Sequence, residues 1–87
     1  MTWHVYILEC KNKSFYTGIT NDLEQRLKKH QHGLGAKYTR AFGADKFVYT
    51  EDFSTRSDAL KREAKIKGLT RDMKEALING ALPRSSS

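Results

Sequence analysis

Five side chains have types and spacings that suit proton transfer beside a charged centre. Tyr6 and Tyr16 lie ten residues apart, in His4-Val5-Tyr6 and Tyr16-Thr17-Gly18. A free phenol holds its proton until a pH of about 10, so it can orient a substrate or, if ionised, act as a base. Arg26 and His30 follow at i, i+4, on one face of a predicted helix. Glu63 shares the least polar stripe of a second helix with Ala59 and Ile66, a position that faces the sheet. An unpaired carboxylate there is costly, so it calls for a cation. Singly, each residue has a plainer reading. Strand tyrosines commonly pack with a wet hydroxyl, Arg26 can pair with Asp22 or His30 on a solvated face, and Glu63 can pair with Lys67. Their joint occurrence is what points to chemistry.

These residues need elements to hold them. Thr2 to Cys10 and Phe15 to Thr20 are dense in β-branched and aromatic residues and flank Lys11-Asn12-Lys13-Ser14, which predicts a β-hairpin. Asn21, with Glu24 three residues on, predicts the N-cap of a helix carrying Leu23 and Leu27 and running to about Gly33. Gly33 to Gly43 has no sustained period and reads as a flexible basic loop. Asp45 to Phe53 is a third strand. Ser54 or Thr55 caps a second helix that reaches Lys67 before Gly68, and Thr70 caps a third that runs to about Asn79 and ends at Gly80. The fold class is α+β: a small three-stranded antiparallel sheet flanked by helices, in the order β-β-α-β-α-α. Residues 1–82 form the domain and 83–87 a loose C-terminal tail. Tyr6 and Tyr16 share a face of the hairpin only if paired residue numbers sum to an even value, which requires an odd-length connection or a bulge.

Composition bounds the function. A chain of 87 residues has room for one core, which excludes barrels, doubly wound folds and most cofactor enzymes. Sixteen Lys and Arg against ten Asp and Glu give a net charge of +6, so polyanions lead the partner classes. Cys10 is the only cysteine, which forbids an internal disulfide and a multi-cysteine zinc site and suits a reducing, cytoplasmic setting. The longest apolar run, Val5-Tyr6-Ile7-Leu8, is too short for a membrane span or a signal peptide, so no membrane association is expected. Lys28, Lys29, Lys37 and Arg40 crowd around Tyr38; they read either as solubilising charge or as a phosphate track with one stacking base. His30 and His32, at i, i+2, point to different sides of a helix and do not share an ion.

The set as a whole resembles the GIY-YIG nuclease superfamily, and most closely its small single-domain bacterial members. His4-Val5-Tyr6 stands for Gly-Ile-Tyr and Tyr16-Thr17-Gly18 for Tyr-Ile-Gly. Arg26 and His30 follow the second tyrosine by ten and fourteen residues, and Glu63 lies in Lys61-Arg62-Glu63. The resemblance runs from Tyr6 to about Leu77. It departs at His4, at Ile19, where relatives in nucleotide-excision repair often carry lysine, and at Asn79, a poor spacing match for an asparagine of the last helix.

The resemblance implies divalent-metal-dependent cleavage of phosphodiester bonds, with Mg²⁺ or Mn²⁺ on Glu63. Arg26 then donates to a non-bridging phosphate oxygen, and Tyr6, ionised with help from nearby cations, takes the proton of the attacking water. Tyr16 orients, and His30 holds the phosphate or assists proton transfer. On this view the rate rises towards alkaline pH. The expected substrate is DNA rather than RNA, single-stranded or branched, because so small a chain has little surface for reading base edges. DNA repair is one of several compatible roles. The alternatives are a non-catalytic nucleic-acid-binding module and a component that acts only with a targeting protein partner.

Overall fold

The computed structural model describes residues 1–33 and 43–82. The expected tail, 83–87, and three of the expected nucleic-acid contacts, Lys37, Tyr38 and Arg40, lie outside the described residues. Strand β1 (Trp3–Cys10) and strand β2 (Phe15–Thr20) are followed by helix α1 (Leu23–Gln31), strand β3 (Ala44–Phe53), helix α2 (Arg56–Lys67) and helix α3 (Arg71–Ile78). The order β-β-α-β-α-α and the three-stranded antiparallel sheet are those expected, and the structure arranges the strands β2-β1-β3.

The central strand explains the longest apolar run of the sequence. Val5, Tyr6, Ile7 and Leu8 are all buried because both faces of β1 are covered. Odd-numbered Val5 and Ile7 pack with Tyr49 and Phe53 of β3, Ala59 and Ile66 of α2 and Leu77 of α3. Even-numbered Tyr6 and Leu8 pack with Ala44, Phe47, Tyr16 and, from α1, Leu23 and Leu27. The sheet is thus sandwiched, with α1 on one face and α2 and α3 on the other.

Hairpin geometry supplies the odd connection that the two tyrosines need. The Cys10 amide donates to the Ser14 carbonyl at 2.8 Å and the Lys13 amide to the Cys10 carbonyl at 2.9 Å, so the turn is Lys11-Asn12-Lys13. Lys13 takes a left-handed φ of 70°, the conformation that closes a three-residue hairpin loop with a bulge. The resulting register pairs Tyr6 with Gly18 and Leu8 with Tyr16, which places both phenols on the α1 face.

The caps at Thr55 and Thr70 are as expected: their hydroxyls accept from the Asp58 and Met73 amides. The first helix differs. Asp22, not Asn21, caps α1, accepting from the Gln25 amide at 3.1 Å. The Thr20 hydroxyl bonds both the amide and the carbonyl of Asp22, which fixes that residue in an extended conformation and moves the helix start one position on. Among the described residues no helix is long and apolar enough to cross a membrane.

Candidate active site

Tyr6 is the centre of the site. Its ring lies across β2 at Gly18, where a β-carbon would come within 2.5 Å of the phenol oxygen and 2.7 Å of Cζ. Glycine at the end of Tyr16-Thr17-Gly18 is therefore a matter of room for this ring. The ring is held in place by Phe47, edge-on with centroids 5.0 Å apart, by Tyr16 at 6.4 Å and by His30 at 6.0 Å.

His30 comes from the last turn of α1 and is 2 % exposed. Its Nε2 lies 3.0 Å from the Tyr6 oxygen, and its ring is 5.4 Å from that of Tyr16. Burial, and then the charge of Arg26, hold the imidazole below its ordinary pKa. Tyr6 is raised well above the ordinary phenol range, chiefly by burial and next by Tyr16, while Arg26 works in the opposite direction. Both partners are thus neutral at neutral pH. With the imidazole proton on Nδ1, the phenol donates to Nε2. Arg26 alone does not ionise the phenol: desolvation outweighs it.

Arg26 lies one helical turn before His30, half-buried, and among the described residues no carboxylate pairs with it. Its charge acts on both members of the Tyr6–His30 pair. Glu63 stands on α2, in the layer across the sheet, yet its charge also acts on the Tyr6 phenol. The Glu63 side chain is 17 % exposed and pairs with Lys67 at 3.4 Å, so the intrahelical pair and the inward position both hold.

Among the described residues no three metal-ligating side chains converge. A lone carboxylate near the surface suits Mg²⁺, which keeps several waters and takes one or two carboxylates together with substrate phosphates. Glu63 fits that role. Lys28 and Lys29 are exposed on α1, and Lys28 pairs with Glu24 at 3.4 Å. His32 is exposed and His30 buried, as their spacing requires.

Two of the departures from the family pattern, His4 and Ile19, have local explanations. His4, on the Tyr6 face, pairs with Asp52 across the β1–β3 ladder, Nδ1 to Oδ1 at 2.6 Å. Ile19 points to the opposite face and packs against the α2-side core. A third feature escapes sequence reasoning: Glu51 of β3 is 4 % exposed, accepts two-pronged hydrogen bonds from Arg62 of α2 at 3.0 to 3.2 Å, and accepts from the Tyr49 hydroxyl. The signal was present in Tyr49-Thr50-Glu51-Asp52-Phe53, where alternation puts an acid on the inward face between two buried aromatics.

A GIY-YIG catalytic domain match spans residues 2–76. The UPF0213 protein CPE1444 of Clostridium perfringens is 54% identical over 76 residues, covering 87% of this chain and 82% of that protein. The solution NMR structure of the UPF0213 protein BH0048 from Bacillus halodurans is 47% identical with a TM-score of 0.58, covering 91% of this chain and 84% of that one. The solution NMR structure of the protein EF2693 from E. faecalis is 38% identical with a TM-score of 0.61, covering 100% and 94% of the two chains. The match covers both tyrosine motifs, Arg26, His30 and Glu63, and the chain belongs to the GIY-YIG family, a membership that implies nuclease activity.

Proposed function

We propose that this chain is a divalent-metal-dependent endonuclease that hydrolyses phosphodiester bonds in DNA, directed by single-stranded or branched structure rather than by base sequence. The observation that carries this reading is the 3.0 Å contact between Tyr6 and His30, with the charges of Arg26 and Glu63 acting on the same phenol. A neutral phenol bonded to a neutral imidazole can pass a proton without ever becoming a free phenolate. As water attacks phosphorus, its proton goes to the Tyr6 oxygen while the phenol's own proton goes to His30 Nε2. Arg26 donates to a non-bridging oxygen as charge builds up in the transition state. Tyr16, against both rings, keeps the phenol and imidazole oriented. Glu63 would hold Mg²⁺ or Mn²⁺, which would supply positive charge for the leaving oxygen.

The net charge of +6 and the exposed Lys28 and Lys29 favour a polyanion. Lys37, Tyr38 and Arg40 extend that track in sequence, with the catalytic unit assigned to residues 1–82 and a cytoplasmic setting that keeps Cys10 reduced. The test is to incubate labelled single-stranded, duplex and forked DNA with the protein in Mg²⁺, Mn²⁺ or chelator, and to measure binding in parallel. Metal-dependent cleavage, strongest on single-stranded or forked DNA, is expected. Binding without cleavage in either metal overturns the enzyme in favour of a non-catalytic binding module.

A further inference from the structure

Helix α2 carries Glu63 but has little apolar grip on the sheet: its buried residues are Ala59 and Ile66 alone. At about 100° per residue, Ala59 and Ile66 share one line along the helix, with Arg62 about 60° to one side and Glu63 about 40° to the other. Arg62 reaches to Glu51 on β3, while Glu63 lies on the other side of that line on a helix that also packs against β2. The two residues therefore sit on opposite arms of a helix whose apolar contact with the sheet runs along a single line. What resists rolling is the Arg62 fork on a carboxylate that is 4 % exposed and also accepts from Tyr49.

Buried ion pairs are often no more stabilising than apolar side chains of equal volume. A network of this kind on a helix with a thin apolar stripe thus acts on orientation more than on stability. We propose that Glu51, Arg62 and Tyr49 are positioning residues that set the roll of α2 and so aim the Glu63 carboxylate at the Tyr6–His30 pair. This inference rests on the reading of Glu63 as the metal-binding carboxylate.

The test replaces the network by apolar groups, Glu51→Leu, Arg62→Met and Tyr49→Phe together, and follows the ¹⁵N-labelled protein as Mn²⁺ is added. In the parent protein, Mn²⁺ is expected to broaden the amide signals around Glu63 and Gly18. The variant is expected to keep its melting temperature within a few degrees. It should bind Mn²⁺ about 10- to 100-fold more weakly, the usual effect of losing groups that orient a ligand. Its broadening at Gly18 should be lost and kcat should fall more than KM rises. Should the triple variant not fold, Arg62→Lys, which keeps the charge but not the fork, is expected to move the same readouts in the same direction. Unchanged Mn²⁺ affinity and broadening in a folded variant overturn the positioning role alone. No Mn²⁺ effect near Glu63 in the parent protein overturns both this role and the metal reading beneath it.

Discussion

The Tyr6 phenol lies over the backbone of its cross-strand partner Gly18, with room for nothing larger than hydrogen between them. The ring cannot retreat, because Phe47, Tyr16 and His30 enclose it. Gly18→Ala should therefore cost about 1–3 kcal/mol, as overpacking does. It should also break the Tyr6–His30 contact, so cleavage falls by at least tenfold in protein that is still folded. Thermal melts alongside single-turnover cleavage check both parts; a variant with full activity contradicts the packing.

The buried His30 links pH to stability. Its pKa in the folded protein is lowered, so the unfolded chain takes up a proton at the ordinary imidazole value of about 6.5 while the folded chain does not. The stability contributed by the neutral imidazole is complete above that pH and is lost as pH falls through and below it. Urea unfolding at pH 7.5 and 5.5 should show this loss, and His30→Asn should reduce it.

Catalysis should follow the same group. If neutral His30 receives the proton through Tyr6, the rate is level across neutral pH and falls on the acid side. A rate that climbs tenfold per pH unit from 7 to 9 would instead report a free phenolate base. Arg26→Ala removes one cause of the lowered imidazole pKa, so the acid limb should move to higher pH. The same change should lower the maximal rate about 10²–10³-fold, as loss of one preorganised donor does.

Much of this was legible in the sequence, and what was legible was local. Thr55 and Thr70 cap their helices because a hydroxyl three residues before an amide is a short-range signal. The β-branched and aromatic residues of Trp3 to Cys10 marked a strand by themselves, whereas its central place in the sheet, which buries Val5 to Leu8 on both faces, depends on pairing with distant β3. The hairpin register was not legible: it depends on Lys13 adopting a left-handed conformation, which lysine seldom does. The burial of Tyr6 was hidden too, because the cations near it are visible in the sequence while Phe47 and His30, which enclose it, come from distant elements. The role of Arg62 was not legible, since its partner Glu51 lies eleven residues away on another element.

Lys28 and Lys29 offer a separate check on the binding face. If both meet phosphates, replacing the two by alanine should reduce the slope of log affinity against log salt on single-stranded DNA by about 1.4, roughly 0.7 for each phosphate that is no longer neutralised. The weakening should be similar for different base sequences. An unchanged slope places the DNA elsewhere.

The most direct test is the single-turnover rate of forked-DNA cleavage in Mg²⁺, compared between the parent protein and Tyr6→Phe. The substitution keeps the ring that fills the core and removes only the hydroxyl bonded to His30. A fall of about 10²–10⁴-fold, with DNA affinity unchanged, is the result predicted for a proton-transferring phenol. A rate within about twofold of the parent protein would contradict it, and would leave Tyr6 a packing residue.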